Sequence, residues 1–304
     1  MTAVFAISSA RDRVGESPVW SVASQALYWV DIEGQHIHRL DWASRTQSSW
    51  ALAERVGCIA LSNRGTVIAA MESGIFEVEL QDAPMARVSC LATISHPQAS
   101  MRFNDGRCDA QGRLWAGTMV RNMGLGNAAG GIYCLDSNGL RGPVLEGYIT
   151  PNGMAFSPDG KTAYLSDSHP SVQKIWQHTF DGATGTWGPQ TPWVDMQALP
   201  GRPDGAAVDA EGCYWICGND AGQVHRFSPA GALLQSIAVP VSKPAMCAFG
   251  GPELRHLFIT SIQPATPAPG FDAALDGAVL VLEPGVQGLP EPLFSQFPVP
   301  VPFH

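Results

Sequence analysis

The sequence predicts an all-β chain folded as a six-bladed β-propeller around a central channel, with residues 1–304 as one domain. Three observations carry that expectation. A strand–turn–strand unit recurs six times, 32 glycines and 24 prolines are scattered rather than clustered, and no stretch holds a convincing 3.6-residue apolar period. The units fall at intervals of roughly 40 to 50 residues, the length of a propeller blade.

In chain order the hairpins are WSVASQALYWVDI from Trp20, LSNRGTVIAAMES from Leu61, CDAQGRLWAGTM from Cys108, FSPDGKTAYLSDS from Phe156, VDAEGCYWICGND from Val208 and FGGPELRHLFITS from Phe249. Most carry a glycine in the turn, where tight hairpins require positive φ. A third strand follows each: GQHIHRLD, SGIFEVEL, GGIYCLDSNG, VQKIWQHTFDG, GQVHRFSPAG and GAVLVLEPG. No sequence is left for a seventh blade, so closure is expected from the N-terminal segment pairing beside the last strands. Trp20, Trp29, Trp115 and Trp215 fall in hairpin strands and are expected in blade-to-blade cores. GLGNAAG from Gly124 is expected as a flexible loop near the channel mouth, and FPVPVPFH from Phe297 as an extended surface tail.

Composition narrows the function classes. A net charge of -9 with no basic run argues against nucleic acid, which needs clustered Lys and Arg. No apolar segment is long enough to span a bilayer, and the first twenty residues lack a secretory pattern. The seven cysteines sit mostly in apolar runs. Cys213 and Cys217 share a strand face and are expected as packed thiols, in keeping with a reducing cytoplasm. No long charged or aromatic segment suggests a protein partner. No G-x-S-x-G or H-E-x-x-H pattern occurs. His36 and His38 share a strand face and are expected to pack rather than bind metal.

Aligning the six units on the residue that opens each turn (Ser21, Ser62, Asp109, Ser157, Asp209, Gly250) places Glu16, Gly57, Asn104, Asn152, Asp204 and Ala245 at one position, five residues earlier. Innermost strands line the channel, so Glu16, Asn104, Asn152 and Asp204 are expected to converge at one mouth, with Gly57 and Ala245 leaving two sides open. Four oxygen-bearing side chains, two of them carboxylates, suit one hard divalent cation: calcium, magnesium, manganese or zinc, with iron(II) also admitted.

The motifs GESPVW, RFNDGRCDAQGRLWAGTM, PNGMAFSPDGKTAYLSDS, RPDGAAVDAEGCYWIC and GVQGLPEP, spread from Gly15 to Pro292, resemble the gluconolactonase–regucalcin (senescence marker protein) family. The resemblance implies a six-bladed propeller and a metal-dependent lactonase acting on a small-molecule sugar lactone. It makes Glu16, Asn152 and Asp204 the metal ligands, Asp204 also the general base, and Arg102 and Asn104 substrate contacts. Asn104 then reaches the metal only through water or substrate. Where relatives acting on neutral lactones often carry an acidic residue after GTM, this chain has Arg121 and Asn122. Arginine is a poor acceptor for hydroxyls and a good partner for a carboxylate, so both are assigned to substrate binding, with a bias toward an acidic aldarolactone. Two other classes fit the same residues. One is a non-catalytic regulatory propeller that binds a divalent metal; the other is a promiscuous aryl esterase or phosphotriesterase, which an apolar mouth would favour.

Overall fold

The structure, a computed structural model, describes residues 3–298. Among these, the strands form six four-stranded antiparallel sheets. Their innermost strands, blades 1 to 6 in order, are Gly15–Ser21, Val56–Leu61, Met101–Cys108, Pro151–Phe156, Arg202–Val208 and Pro244–Gly250. Each packs on its neighbours, and Pro244–Gly250 meets Gly15–Ser21 to close the ring. The outermost strand of blade 6 is Phe5–Ala6, with Phe5 opposite Val281. The expected N-terminal closure is therefore present, through a two-residue strand. No helix among the described residues is long and apolar enough to cross a membrane.

The turn chemistry explains why the hairpins recur. Gly65, Gly112, Gly160 and Gly212 occupy the same turn position at φ between 67° and 78°, where a side chain would be strained. The residue opening the turn ties it from the other end. Asp109 Oδ1 accepts from the amides of Gln111 and Arg113 at 2.9 and 3.1 Å, and Asp209 Oδ1 from those of Glu211 and Cys213, both at 2.9 Å. The second oxygen of each takes the indole N–H of Trp115 or Trp215, at 2.8 and 2.9 Å. One aspartate thus fixes both the turn and a core tryptophan.

Six buried apolar clusters lie one between each pair of adjacent blades. Both faces of a sheet are covered, so Val56–Leu61 and Leu114–Val120 are buried at every residue and read as apolar runs rather than alternations. Trp29, Trp115 and Trp215 are fully buried there, and Trp20 nearly so.

Two features position the site. Every inner strand slips register with its partner at one height, for example between Glu16 and Val19, Phe103 and Gly106, Asn152 and Ala155, and Pro203 and Ala206. Such bulges turn the backbone and re-aim side chains. At the opposite end the channel is crossed by the chain after blade 6. Ala210 N donates to Gln287 O at 2.8 Å, Phe294 N to Leu61 O at 2.8 Å, and Ser295 N to Gly112 O at 3.0 Å. Inside that strap Arg107 pairs with Glu291 and donates to the carbonyls of Met154 and Ala206. Beyond it, the Arg64 guanidinium lies 3.4 Å from the centre of the Phe297 ring, and the rest of the expected tail, 299–304, lies outside the described residues.

Candidate active site

The open mouth holds a cavity of about 420 Å³, and Glu16, Asn104, Asn152 and Asp204 all line it, together with Arg102, Arg121 and Asn122. The common position in the repeat thus becomes a common height on the channel wall. Gly57 and Ala245 do leave two sides without donors. At Gly57 a Cβ would stand 2.3 Å from Phe103 O, so that residue is required by close backbone approach between blades 2 and 3.

Local contacts set which atoms face inward. Asn152 Nδ2 donates to Ser168 Oγ at 2.6 Å, and the Ser168 hydroxyl itself donates to Pro203 O. With its proton committed, Ser168 can only accept from Asn152, so the Asn152 carbonyl oxygen is turned the other way. There it meets Asn104 Nδ2 at 2.9 Å. Both amide protons of Asn104 are engaged: Nδ2 also reaches Pro151 O at 3.0 Å, and its oxygen accepts from Arg102 Nη1 at 2.7 Å. It links Arg102 to Asn152 with both amide protons spent, leaving only the second lone pair of its oxygen for a substrate hydroxyl, which register alone could not reveal. Asp204 Oδ2 accepts from Asn219 Nδ2 at 2.7 Å, while Asn219 Oδ1 takes Arg202 Nη2 at 3.3 Å. Asp204 Oδ1 carries no such bond.

Two carboxylates at the site lie in surroundings that disfavour their charged forms. Glu16 and Asp204 are about nine-tenths buried, and neither forms an ion pair among the described residues. Burial lifts the Glu16 carboxyl well above its usual range, and the nearby Asp204 and Asp105 add to the rise. Burial likewise pushes Asp204 up to about 7, against the pull of Arg202 and the Asn219 hydrogen bond. Two buried acids that resist ionising together, beside an oriented amide oxygen, make an all-oxygen set whose charge matches a hard dication. Among the described residues no group of three or more His, Cys, Asp and Glu converges; the third donor here is an amide.

Residues 14–263 match the family model for the SMP-30/Gluconolactonase/LRE-like region. The chain belongs to this family. It is 40% identical over 284 residues to a 6-deoxy-6-sulfogluconolactonase of Pseudomonas putida, covering 93% of this chain and 95% of that protein. It is 30% identical to pentonolactonase XacC of Haloferax volcanii over 82% of this chain and 81% of that one. A solved calcium-binding protein, regucalcin, from Agrobacterium tumefaciens superposes with a TM-score of 0.86 at 27% identity, covering 96% of this chain and 97% of that one.

Within this family member several residues at the site escape sequence reasoning. Ser168, Asn219 and Arg202 stand at strand ends beside the inner-strand position; the pairing of Asn152 with Ser166 and of Arg202 with Asn219 is the signal that locates them. Asp105 hides in an Asn-Asp-Gly sequence that reads as a turn. It is instead a buried carboxyl, pushed up to about 6 by burial, with Oδ2 accepting Met154 N at 2.8 Å and Oδ1 buried without a partner. It clamps the backbone two residues after Asn152.

Arg102 is half-buried, and its Nε has no partner. Arg121 stands at the rim, 38% exposed at its side chain, with Glu72 3.7 Å away. Asn122 caps the short turn Met123–Leu125, its oxygen accepting Gly124 N at 3.1 Å, so the GLGNAAG segment begins as a 3-10 turn at the mouth. His38 is held by Asp12 at 3.1 Å and Ser49 at 2.7 Å, and His36 by Gly34 O at 2.6 Å. Both pack and pair as expected. All seven cysteines are free thiols, six of them buried.

Proposed function

We propose that the protein hydrolyses a sugar lactone to the free sugar acid, using one divalent cation held by Glu16, Asn152 and Asp204. The observation that carries the reading is the convergence of these three donors with Arg102 and Asn104 on one cavity. The names of the two relatives, both lactonases, support the substrate class. The first of those names describes a lactone with an anionic sulfo group. A bound dication would neutralise the two carboxylates and polarise the lactone carbonyl.

The chain's own residues do the rest. Asp204 Oδ1, the oxygen left free by Asn219, accepts a proton from the water that attacks the carbonyl carbon. The ring C–O bond then breaks, and the same proton passes to the departing alkoxide, giving a hydroxy acid. No covalent enzyme intermediate is needed. Asn219, fixed by Arg202, keeps that oxygen aimed, while Arg102 and Asn104 orient the sugar, and orientation supplies a large part of the rate. Removing divalent ions and assaying acid release from a panel of sugar lactones tests this. Activity is expected to vanish, return with added ion, and stay absent in Asp204→Asn. Full turnover by the metal-free protein would overturn it.

A further inference from the structure

The rim on the side of blades 2 and 3 carries two arginines that no carboxylate holds at hydrogen-bond distance among the described residues. Arg55, Arg102 and Arg121 stand there against Glu33 and Glu72. Arg55 engages both acids, at 2.9 and 3.3 Å. Arg102 has no carboxylate within salt-bridge distance among the described residues, and its buried Nε is unpartnered. Arg121 approaches only Glu72, at 3.7 Å, beyond hydrogen-bond length, and Glu72 is already held by Arg55. The third arginine lining the cavity, Arg202, is spent on Asp220 at 2.6 Å, Ser168 O at 3.2 Å and Asn219 at 3.3 Å.

The backbone that carries Arg121 is held in place. Arg121 N donates to Ser100 O at 2.9 Å, and the next residue caps the turn that follows, so the Arg121 side chain leaves a fixed backbone. Two guanidiniums with spare N–H groups line one cavity, and an anion between them would relieve their mutual repulsion. A flat fork of donors suits a carboxylate or sulfonate far better than a hydroxyl.

We propose that Arg121, with Arg102 beside it, forms an anion subsite that binds an oxyanion on the substrate carbon remote from the lactone carbonyl, so that acidic sugar lactones are preferred over neutral ones. The proposal rests on the lactonase reading above and adds its specificity. Arg121 acts here on binding, not on the bond-breaking step.

The test compares kcat/KM of the ion-loaded protein on gluconolactone, a glucaric acid lactone and 6-deoxy-6-sulfogluconolactone. The two anionic substrates distinguish carboxylate from sulfonate. Wild type is expected to favour at least one of them by about tenfold or more, and Arg121→Gln to reduce that ratio by a similar factor. Arg121→Lys should keep part of it, and raising the salt to about 1 M should shrink it. Calorimetry supplies a second readout. The open-chain diacid should bind wild type more tightly than the monoacid, and that difference should fall in Arg121→Gln. Turnover of gluconolactone with no anionic preference, or a preference that Arg121→Gln leaves intact, would overturn the subsite while sparing the lactonase reading. Failure of ion-loaded wild type on every lactone would remove both.

Discussion

Ser168 Oγ lies 2.6 Å from Asn152 Nδ2 and hands its own proton to Pro203 O, so one hydroxyl decides which way the Asn152 amide faces. An amide can rotate its oxygen and nitrogen into each other's places; a carboxylate has two equivalent oxygens and needs no such control. Ser168→Ala should therefore lower divalent-ion affinity by about 10- to 100-fold, the usual cost of losing an outer-shell partner. Adding Asn152→Asp to Ser168→Ala should recover a large part of it. Ion titrations of the four proteins in the cycle check this. An undiminished affinity in Ser168→Ala would show that the amide is oriented by something else.

The two buried acids make the stability of the metal-free protein fall as pH rises. Asp204 ionises near 3.8 when unfolded and is pushed up to about 7 in the fold, chiefly by burial. Between those values the folded state holds the extra proton on Asp204, so the contribution of Asp204 to stability falls with pH through that window. Glu16 is shifted in the same direction, as is Asp105, pushed up to about 6 by burial. The surface acids Asp41, Asp159 and Asp181 are shifted downward by their turn hydrogen bonds and act only at lower pH. Asp204→Asn should remove much of the slope and stabilise the metal-free protein at pH 8, by on the order of 4 kcal/mol at most. Added divalent ion should stabilise wild type at that pH but not the variant. Denaturant unfolding from pH 4 to 8, without and with ion, measures both effects.

The blades were legible because their cause is local. Four of the six hairpins carry a turn glycine and a Ser or Asp opener, and these survive where the surrounding sequence diverges, as in NRG, AQG, PDG and AEG; the first turn has no glycine and the last opens on Gly250. The convergence of Glu16, Asn104, Asn152 and Asp204 was legible for a related reason: repetition turns a shared position into a shared height. What a register cannot encode is the choice of atom. That Asn104 has spent both amide protons, that Asp204 keeps only Oδ1 free and that Arg202 is spent on Asp220 all depend on groups from other strands. Asp105 was hidden because an Asn-Asp-Gly sequence carries two meanings, and burial alone separates a turn former from a backbone clamp.

The far end of the channel offers a prediction of the opposite kind, one of stability without loss of the ion. Arg107 and Glu291 come from blade 3 and from the strap after blade 6, with side chains only 10% and 15% exposed. Removing Glu291 leaves a buried guanidinium with only carbonyl partners, Met154 O and Ala206 O. Breaking a buried pair in this way costs about 3–5 kcal/mol, and those two carbonyls place this case toward the lower figure. Glu291→Ala should therefore melt several degrees lower, while divalent-ion affinity stays close to that of wild type. Arg107→Ala should behave differently. Arg107 is among the groups that favour the ionised form of Asp105, which in turn holds Met154 N behind Asn152. Losing the arginine should thus lower ion affinity as well as melting temperature. Melting curves and ion titrations on the two variants separate the roles. Equal loss of affinity in both would mean that the strap, rather than Arg107 through Asp105, supports the mouth.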